Sequence, residues 1–332
     1  MTLKLSRSLS RFLKNQKKVR RLFETSFLRI PKQPSARRRR PASPKPVLTE
    51  VTDFGSNPGR LRMKLFVPKR HPPKPALVLF LHGCRQTPES LDLASGFSKL
   101  AAQRGFILLY PEQREANNPQ RCFNWFRPSA IARDRGELMS IRQMINHACR
   151  QHHVDRARVY VAGLSAGGAM TSALLVTYPD LFAGGAIFAG MPYGAARDAI
   201  SALRTMKSGH SRSPREWGDL ARTISPGRKT WPSVSIWQGS GDRTVHPDNA
   251  VAAASQWLDI AGIDVATAKQ LHKPWGHVVR WDGFHKGQVS FYSLRGFGHG
   301  LPVKSPLKSD PFVIEAGISG PLELLKLWDL RR

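Results

Sequence analysis

Residues 163–167 of this chain read GLSAG and place Ser165 between two glycines. An apolar run precedes this segment, and a helix-forming run follows it from Ala166. A serine at such a strand–turn–helix junction is held in a strained conformation, and a side chain in place of either glycine would collide with neighbouring backbone. The pentapeptide alone arises often by chance. Its position between a strand and a helix is what predicts that Ser165 is a nucleophile for acyl transfer.

A nucleophilic serine needs a base that takes its proton and a carboxylate that orients the base. Residues 239–242 read GSGD and residues 296–300 read GFGHG, each directly after a predicted strand. The chain order Ser165, Asp242, His299 is the order that this arrangement requires. We therefore expect Asp242 to orient His299, which would act as general base. The alternative is that Asp242 is a turn residue and that His299 is a loop histidine without a role. Four rival histidines do not follow the final predicted strand: His246, His272, His277 and His285.

Acyl transfer also needs hydrogen-bond donors for the developing oxyanion, and losing one donor costs about 10²–10³ in rate. We expect the backbone N–H of Ala166 to be the first donor. Residues 82–84 read HGC directly after a predicted strand, and Gly83 permits close approach of the backbone. The N–H of Cys84 is therefore the expected second donor. The position of His82 at the strand end favours a structural role for its side chain.

The elements that would position these residues begin at about residue 48, where short apolar runs alternate with helical segments. This alternation is typical of βαβ units around a mainly parallel central sheet with helices on both faces. The sequence therefore predicts the α/β class. The predicted strands are 61–67, 76–81, 106–110, 158–162, 184–188, 234–238 and 289–294, and the predicted helices are 91–104, 134–150, 166–178, 248–261 and 322–328.

The N-terminal region differs from the rest of the chain in charge. Residues 1–50 hold 15 Lys and Arg against Glu24 and Glu50, which accounts for +13 of the net charge of +29. Residues 3–23 carry apolar side chains near one helical face, and residues 31–47 are rich in proline and arginine. We expect a basic, partly helical tail and linker at 1–47, followed by a catalytic domain at 48–332.

Two interpretations of the tail stay open. It is either a solvated, partly disordered segment or a segment that binds an anionic surface such as a membrane. The four-Arg run at 37–40 has no interleaved aromatic residues, so no specific nucleic-acid binding is predicted. No segment approaches the roughly 20 apolar residues of a membrane span, and no convincing signal peptide is apparent. The three cysteines lack paired ligand spacing, so no metal site is predicted. No cofactor is expected either.

Five segments in order resemble the poly(3-hydroxybutyrate) depolymerase family of esterases, which includes feruloyl and acetylxylan esterase-like members. They read LHGCRQ at 81–86, CFNWF at 122–126, GLSAGGAM at 163–170, DRTVHPDN at 242–249 and GHG at 298–300. The resemblance extends from about residue 50 to residue 303. It implies an α/β-hydrolase fold with a triad of Ser165, Asp242 and His299, a carboxylic-ester or polyester substrate, and a location outside the cell. A cytoplasmic location stays open because no segment is convincing as a signal peptide.

The same resemblance implies roles for the segment at 122–126. A disulfide between Cys84 and Cys122 would join the oxyanion loop to a substrate loop in which Asn124 and Trp125 bind substrate. Two buried thiols and a core aromatic are the alternative. The implied activity is hydrolysis of short-chain or hydroxyalkanoate esters. Alternatives are a feruloyl or acetylxylan esterase, a peptidase or thioesterase with the same triad, and a surface-binding protein tethered by its basic N-terminus.

Overall fold

A computed structural model describes residues 48–209, 212–283 and 287–330 of the chain. The predictions made for residues 1–47 lie outside the described residues. In the described part, ten strands form one sheet and two short strands pair separately. The strands of the large sheet are β1 (Thr49–Val51), β2 (Arg62–Phe66), β3 (Leu77–Leu81), β4 (Ile107–Glu112), β5 (Val159–Leu164), β6 (Gly184–Phe188), β7 (Ser233–Gly239), β8 (Lys269–Lys273), β9 (Gly276–Gly283) and β10 (Gly287–Leu294), and the separate pair is β11 (Leu301–Val303) and β12 (Val313–Glu315).

The strand order in the large sheet is β1-β2-β4-β3-β5-β6-β7-β10-β9-β8. The pairs from β4 through β3, β5, β6 and β7 to β10 are parallel, and antiparallel strands flank them at both edges. The residues of β3, β4 and β5 are all buried and apolar apart from Glu112, as expected for strands covered on both faces. All seven predicted strands are confirmed, with small shifts in their bounds.

The helices that cover the sheet have the following bounds: α1 (Pro88–Ser95), α2 (Phe97–Arg104), α3 (Pro128–Ile131), α4 (Gly136–Gln151), α5 (Ala166–Thr177), α6 (Ala199–Ser208), α7 (Pro214–Ile224), α8 (Asp248–Ala261) and α9 (Gly320–Leu327). The single helix predicted at 91–104 is wrong. Gly96 adopts a left-handed conformation with φ of 74° and ends α1, so the segment forms two helices. All twelve residues of α5 are buried, because this helix packs inside the fold.

Several elements are absent from the sequence-based prediction. Helices α6 and α7 lie in the connection between β6 and β7, and β8 with β9 forms an antiparallel extension at one edge of the sheet. No helix in the described residues combines the length and apolarity needed to cross a membrane. The parallel central sheet with helices packed against it confirms the expected α/β-hydrolase architecture.

Candidate active site

Ser165 occupies the turn between β5 and α5. Its backbone has φ of 58° and ψ of −119°, a conformation that L-residues rarely adopt, and its side chain is almost completely buried. The N–H of Ser165 donates a hydrogen bond of 2.8 Å to the carbonyl oxygen of Phe188 in the neighbouring strand β6. Strain of this kind persists only where the surroundings impose it. The turn therefore has the geometry expected for a nucleophile that projects from the carboxyl edge of the sheet.

The glycines on either side of Ser165 are required by the packing of the turn. A Cβ atom on Gly167 would lie 2.3 Å from the carbonyl oxygen of Leu81, and one on Gly163 would lie 2.3 Å from the carbonyl oxygen of Gly167. Both collisions are with backbone, which cannot rotate away as a flexible side chain could. The close approach explains why the motif needs glycine at both positions, as the sequence predicted.

Asp242 and His299 lie together at the carboxyl ends of β7 and β10, which are neighbouring parallel strands. The Nδ1 atom of His299 is 2.8 Å from Oδ2 of Asp242. The carboxylate side chain is fully buried, and the imidazole is 8% exposed. The other ring nitrogen, Nε2, is thus left as the atom that can exchange a proton with a nucleophile.

Backbone and side-chain donors hold the Asp242 carboxylate in place. The N–H groups of Thr244 and Val245 donate to Oδ1, and Gln238 Nε2 donates to Oδ2 at 3.1 Å. Burial raises the pKa of Asp242, but the hydrogen bond and charge of His299 and the two backbone donors lower it more, so the net pKa is below its ordinary value. Asp242 is therefore a carboxylate at neutral pH.

Ser165 directly follows β5, which is separated from β7 by β6 alone, and lies at the same edge of the sheet as Asp242 and His299. Among the described residues, no hydrogen bond joins Ser165 Oγ to His299, whose ring contact is with Asp242. Catalytic hydrogen bonds are often long before substrate binds. The structure brings the acid and the histidine into contact, and it leaves the contact between nucleophile and base to be tested.

The expected oxyanion donors belong to the residue after the nucleophile and to the loop after β3. Ala166 is the first residue of α5, and Cys84 lies in the loop after β3, beside Gly83. A Cβ atom on Gly83 would be 3.6 Å from Ser165 Cβ, so this loop lies close to the nucleophile. Among the described residues, the backbone N–H groups of Cys84 and Ala166 donate to no protein acceptor. Both groups are thus available to a substrate oxygen.

A disulfide joins Cys84 to Cys122, which is the pairing that the family resemblance implied. Arg85 N–H also donates to the carbonyl oxygen of Gln120 at 2.7 Å, so the oxyanion loop is attached to the segment before Phe123 at two points. Cys149 is a buried free thiol. The loop that carries Cys84 is therefore cross-linked to the segment that carries Asn124 and Trp125.

His82 is part of the scaffold behind the oxyanion loop. Its Nε2 accepts a hydrogen bond of 3.1 Å from Gln113 N–H, so Nδ1 carries the proton and donates to the carbonyl oxygen of Gly83 at 2.7 Å. Complete burial lowers the pKa of His82 to about 4, which keeps the ring neutral. Both nitrogens are thus engaged, in agreement with the structural role expected for this histidine.

The segment with Asn124 is held by a buried carboxylate that the sequence-based prediction missed. Glu137 Oε2 accepts from Asn124 N–H at 2.9 Å, and Oε1 accepts from Asn124 Nδ2 at 2.5 Å and from Gln113 Nε2 at 2.8 Å. Burial raises the pKa of Glu137 despite these hydrogen bonds. Asn118 Nδ2 donates to the side-chain oxygen of Asn124. Asn124 is thus engaged in the scaffold, and its direct contact with substrate stays a prediction.

Trp125 is 6% exposed and packs edge-on against Phe126 with ring centroids 5.6 Å apart. Its place in an acyl pocket stays a prediction.

Gln238, which precedes the final glycine of β7, was also missed by the sequence-based prediction, although it donates to Asp242. A buried glutamine one residue before the end of a strand that leads to a proposed catalytic carboxylate is a signal that could have identified it.

Comparison with known proteins identifies the family of this chain. Residues 64–274 match the family described as Esterase PHB depolymerase. The chain is 42% identical over 258 residues to poly(3-hydroxyalkanoate) depolymerase C of Paucimonas lemoignei, an alignment that covers 77% of this chain and 62% of that protein. It is 32% identical over 264 residues to feruloyl esterase B of Neurospora crassa, which covers 77% of this chain and 88% of that enzyme.

The fold also resembles the solved structure of an acetyl xylan esterase from Aspergillus awamori, with a TM-score of 0.73 and 24% sequence identity. That similarity covers 86% of this chain and all of the other. It supports the fold, while the family match and the two sequence relatives support the family. The chain therefore belongs to the PHB depolymerase family of esterases, which are hydrolases.

Proposed function

We propose that this protein hydrolyses carboxylic esters through a covalent acyl-enzyme, with Ser165 as nucleophile, His299 as general base and Asp242 as the carboxylate that orients the base. The observation that carries the proposal is the 2.8 Å contact between His299 Nδ1 and Asp242 Oδ2 at the same sheet edge as the strained turn of Ser165. A neutral imidazole held in this tautomer by a carboxylate is the form that accepts a serine proton.

In the first half-reaction, Ser165 Oγ attacks the carbonyl carbon of the ester while its proton passes to His299 Nε2. The carbonyl oxygen becomes an oxyanion, to which the N–H groups of Cys84 and Ala166 donate. The tetrahedral intermediate then collapses, the C–O bond to the alcohol breaks, and His299 gives its proton to the departing alkoxide. The products of this step are the free alcohol and an ester of Ser165.

In the second half-reaction, water takes the place of the alcohol. His299 removes a proton from the water, which attacks the acyl carbon, and the same two N–H groups stabilise the second oxyanion. Collapse of this intermediate returns the proton to Ser165 Oγ and releases the carboxylic acid. Asp242 stays ionised throughout, because its pKa lies below the ordinary value, and its charge stabilises the imidazolium that forms in each step.

The substrate class that we propose is short-chain or hydroxyalkanoate esters. The sequence is 42% identical to the depolymerase of Paucimonas lemoignei and 32% identical to the feruloyl esterase of Neurospora crassa, which favours hydroxyalkanoates over feruloyl esters. This chain spans 62% of the length of the depolymerase. Action on feruloyl or acetylxylan esters is the second candidate, since proteins with those names align with this chain.

Pre-steady-state hydrolysis of p-nitrophenyl butyrate tests the chemistry. We expect a burst of p-nitrophenol that is stoichiometric with enzyme, because acylation precedes slower deacylation. Ser165→Ala should lose the burst and turnover, whereas Ser129→Ala, at an exposed serine, should keep both. Full turnover in the Ser165 variant would contradict the proposal. Comparison of kcat/KM for 3-hydroxybutyrate oligomers, methyl ferulate and acetylated xylo-oligosaccharides then tests the substrate class.

The disulfide between Cys84 and Cys122 supports a location in an oxidising compartment, since such bonds persist outside the reducing cytosol. We further propose that the basic segment at 1–47 binds an anionic surface or a polyester granule. A variant that lacks residues 1–47 should keep turnover of soluble esters and lose surface binding. Equal binding with and without the segment would remove that part of the proposal.

A further inference from the structure

Gln86 is a buried glutamine that connects two loops of the active site. Its side-chain oxygen Oε1 accepts a hydrogen bond of 2.8 Å from Gly83 N–H, and its Nε2 donates to Oδ1 of Asp310 at 3.0 Å. The residue is 2% exposed. Gln86 and Asp310 are 224 positions apart in the chain, so this contact joins the loop after β3 to the segment before β12.

One hydrogen-bond partner of Gln86 needs an acceptor from its side-chain amide, and the other needs a donor. Gly83 offers a backbone donor and needs an oxygen, whereas the Asp310 carboxylate is an acceptor and needs an N–H group. A rotated amide would set donor against donor at one end and oxygen against oxygen at the other. A glutamine is therefore the side chain of this length that can satisfy both partners at once.

One end of this connection, Gly83, lies at the expected oxyanion site. Gly83 directly precedes Cys84, and a Cβ atom on Gly83 would lie 3.6 Å from Ser165 Cβ. Gln86 N–H also donates to the Gly83 carbonyl oxygen at 3.3 Å, so both polar groups of Gly83 are held by the same residue. The orientation of the next peptide, which carries the N–H of Cys84, depends on this restraint.

The other end of this connection, Asp310, restrains the segment next to His299. Asp310 Oδ1 accepts from Phe312 N–H at 2.8 Å, as well as from Gln86. The ring of Phe312 lies edge-on to the His299 imidazole with centroids 6.1 Å apart, and the Phe312 carbonyl oxygen accepts from Leu301 N–H at 2.8 Å. The same carboxylate oxygen therefore restrains the segment that packs against His299.

We propose that Gln86 is a positioning residue that, through Asp310, sets the Cys84 N–H and the His299 ring at the correct separation for the tetrahedral intermediate. This inference rests on the proposed ester hydrolysis at Ser165. Displacement of reacting groups by about 1 Å can cost roughly 10² in rate. Because the oxyanion exists only in the intermediate and the transition states around it, loss of this restraint lowers kcat more than it changes KM.

The test uses isosteric variants of the full chain. Gln86→Glu keeps an oxygen for Gly83 but sets a carboxylate against Asp310, so we expect kcat for p-nitrophenyl butyrate to fall by about 10² and KM to change by less than about threefold. Asp310→Asn keeps the accepting oxygen, so its kcat should fall by less than about threefold. The double variant removes the opposed charges but cannot restore a donor to Asp310 Oδ1, which also accepts from Phe312 N–H, so it should recover only part of the lost kcat.

A second measurement separates positioning from a general structural effect. A trifluoromethyl ketone adds to Ser165 and forms an oxyanion, so its affinity should fall in parallel with kcat in Gln86→Glu. Gln103→Glu, at an exposed glutamine of α2, makes the same chemical change away from the site and should leave both unchanged. If Gln86→Glu fails to fold, Asp310→Ala removes only the acceptor and should lower kcat about tenfold.

The outcomes are distinct. Ester turnover that survives Ser165→Ala overturns the proposed function, and the role of Gln86 falls with it. Turnover that requires Ser165 but is unchanged in Gln86→Glu and Asp310→Ala overturns the positioning role alone. A loss of kcat in Gln86→Glu that leaves inhibitor affinity unchanged also rejects it.

Discussion

His299 Nδ1 and Asp242 Oδ2 are 2.8 Å apart, and Gln238 Nε2 donates to the same carboxylate oxygen. The histidine and the aspartate come from loops after neighbouring parallel strands, so the register of β7 with β10 determines their separation. The neighbouring glutamine has a buried Oε1 with no hydrogen-bond partner among the described residues. The orientation of the expected base therefore depends on one buried carboxylate whose other donors come mainly from its own loop.

Replacement of Asp242 by asparagine should lower kcat by about 10⁴ with little loss of folded protein. The asparagine amide can present a donor to His299 Nδ1 and so favour the wrong tautomer of the ring. The rate of p-nitrophenyl butyrate hydrolysis measures this effect. Asp219→Asn, at an exposed aspartate of α7, is the control and should retain wild-type rates. A kcat for Asp242→Asn within tenfold of wild type would exclude Asp242 as the orienting acid.

Stability should fall with acidification because of His82. Its pKa is about 4 in the folded protein against 6.5 for the unperturbed side chain, so the unfolded state binds the proton first as pH falls. Stability decreases wherever the unfolded state holds more protons and the pH is lowered, and here that window runs from about pH 6.5 to about pH 4. The free energy of unfolding should lose about 2 kcal/mol by pH 5 from this group.

Urea unfolding at pH 7.5 and pH 5 checks this expectation. The stability difference between wild type and His82→Gln should shrink by about 2 kcal/mol at the lower pH, because the variant lacks the titrating ring. His153→Gln, at an exposed histidine, provides the control. A difference between wild type and His82→Gln that does not depend on pH would show that the buried ring binds its proton at the same pH as the unfolded chain, and that its pKa is not lowered.

Loss of the disulfide should destabilise the fold. Cys84 and Cys122 are 38 positions apart, and closure of a loop of this length contributes about 4 kcal/mol in the chain-entropy account. Cys84→Ser with Cys122→Ser should lower the free energy of unfolding by up to that amount, and reductant should lower the stability of wild type but not of the variant. Cys149→Ser should keep the response to reductant. Three free thiols in unreduced wild type would refute the bridge.

Glu137→Gln should loosen the segment that carries Asn124. The carboxylate accepts three hydrogen bonds, whereas glutamine offers one oxygen and an NH₂ group that would face a donor. We expect a loss of about 1–3 kcal/mol in the free energy of unfolding and a higher KM for p-nitrophenyl butyrate. Glu115→Gln, at an exposed ion pair with Arg121, should change neither quantity. Unchanged stability in Glu137→Gln would show that the network is dispensable.

Parts of the fold follow from local sequence. Two elements have the bounds predicted from the sequence. The strand Gly184–Phe188 is a short apolar run, and the helix Asp248–Ala261 ends at Gly262, which adopts a left-handed conformation. The helix predicted at 91–104 failed because the apolar pattern continues across Gly96, where the backbone turns. Periodicity does not reveal a break that a single left-handed glycine introduces.

Other elements were missed although local signals exist. Helix α7 begins with a capping box between Ser213 and Glu216 and has Pro214 at its first position, which together are a recognisable start signal. Strand β8 gives no such signal. All five of its residues are exposed, so no alternation of apolar and polar residues marks it as a strand.

The sequence by itself determined the order of Ser165, Asp242 and His299 and their placement after strands, because those features depend on local runs of a few residues. Only the tertiary structure decided which side chains meet across the chain. Gln86 with Asp310 and Glu137 with Asn124 are contacts between segments whose proximity depends on strand order and packing. Hydrogen bonds between residues that are distant in the chain produce no periodic pattern in the sequence. The residues that hold the site together could therefore be identified only from the folded sheet, which brings its loops to one edge.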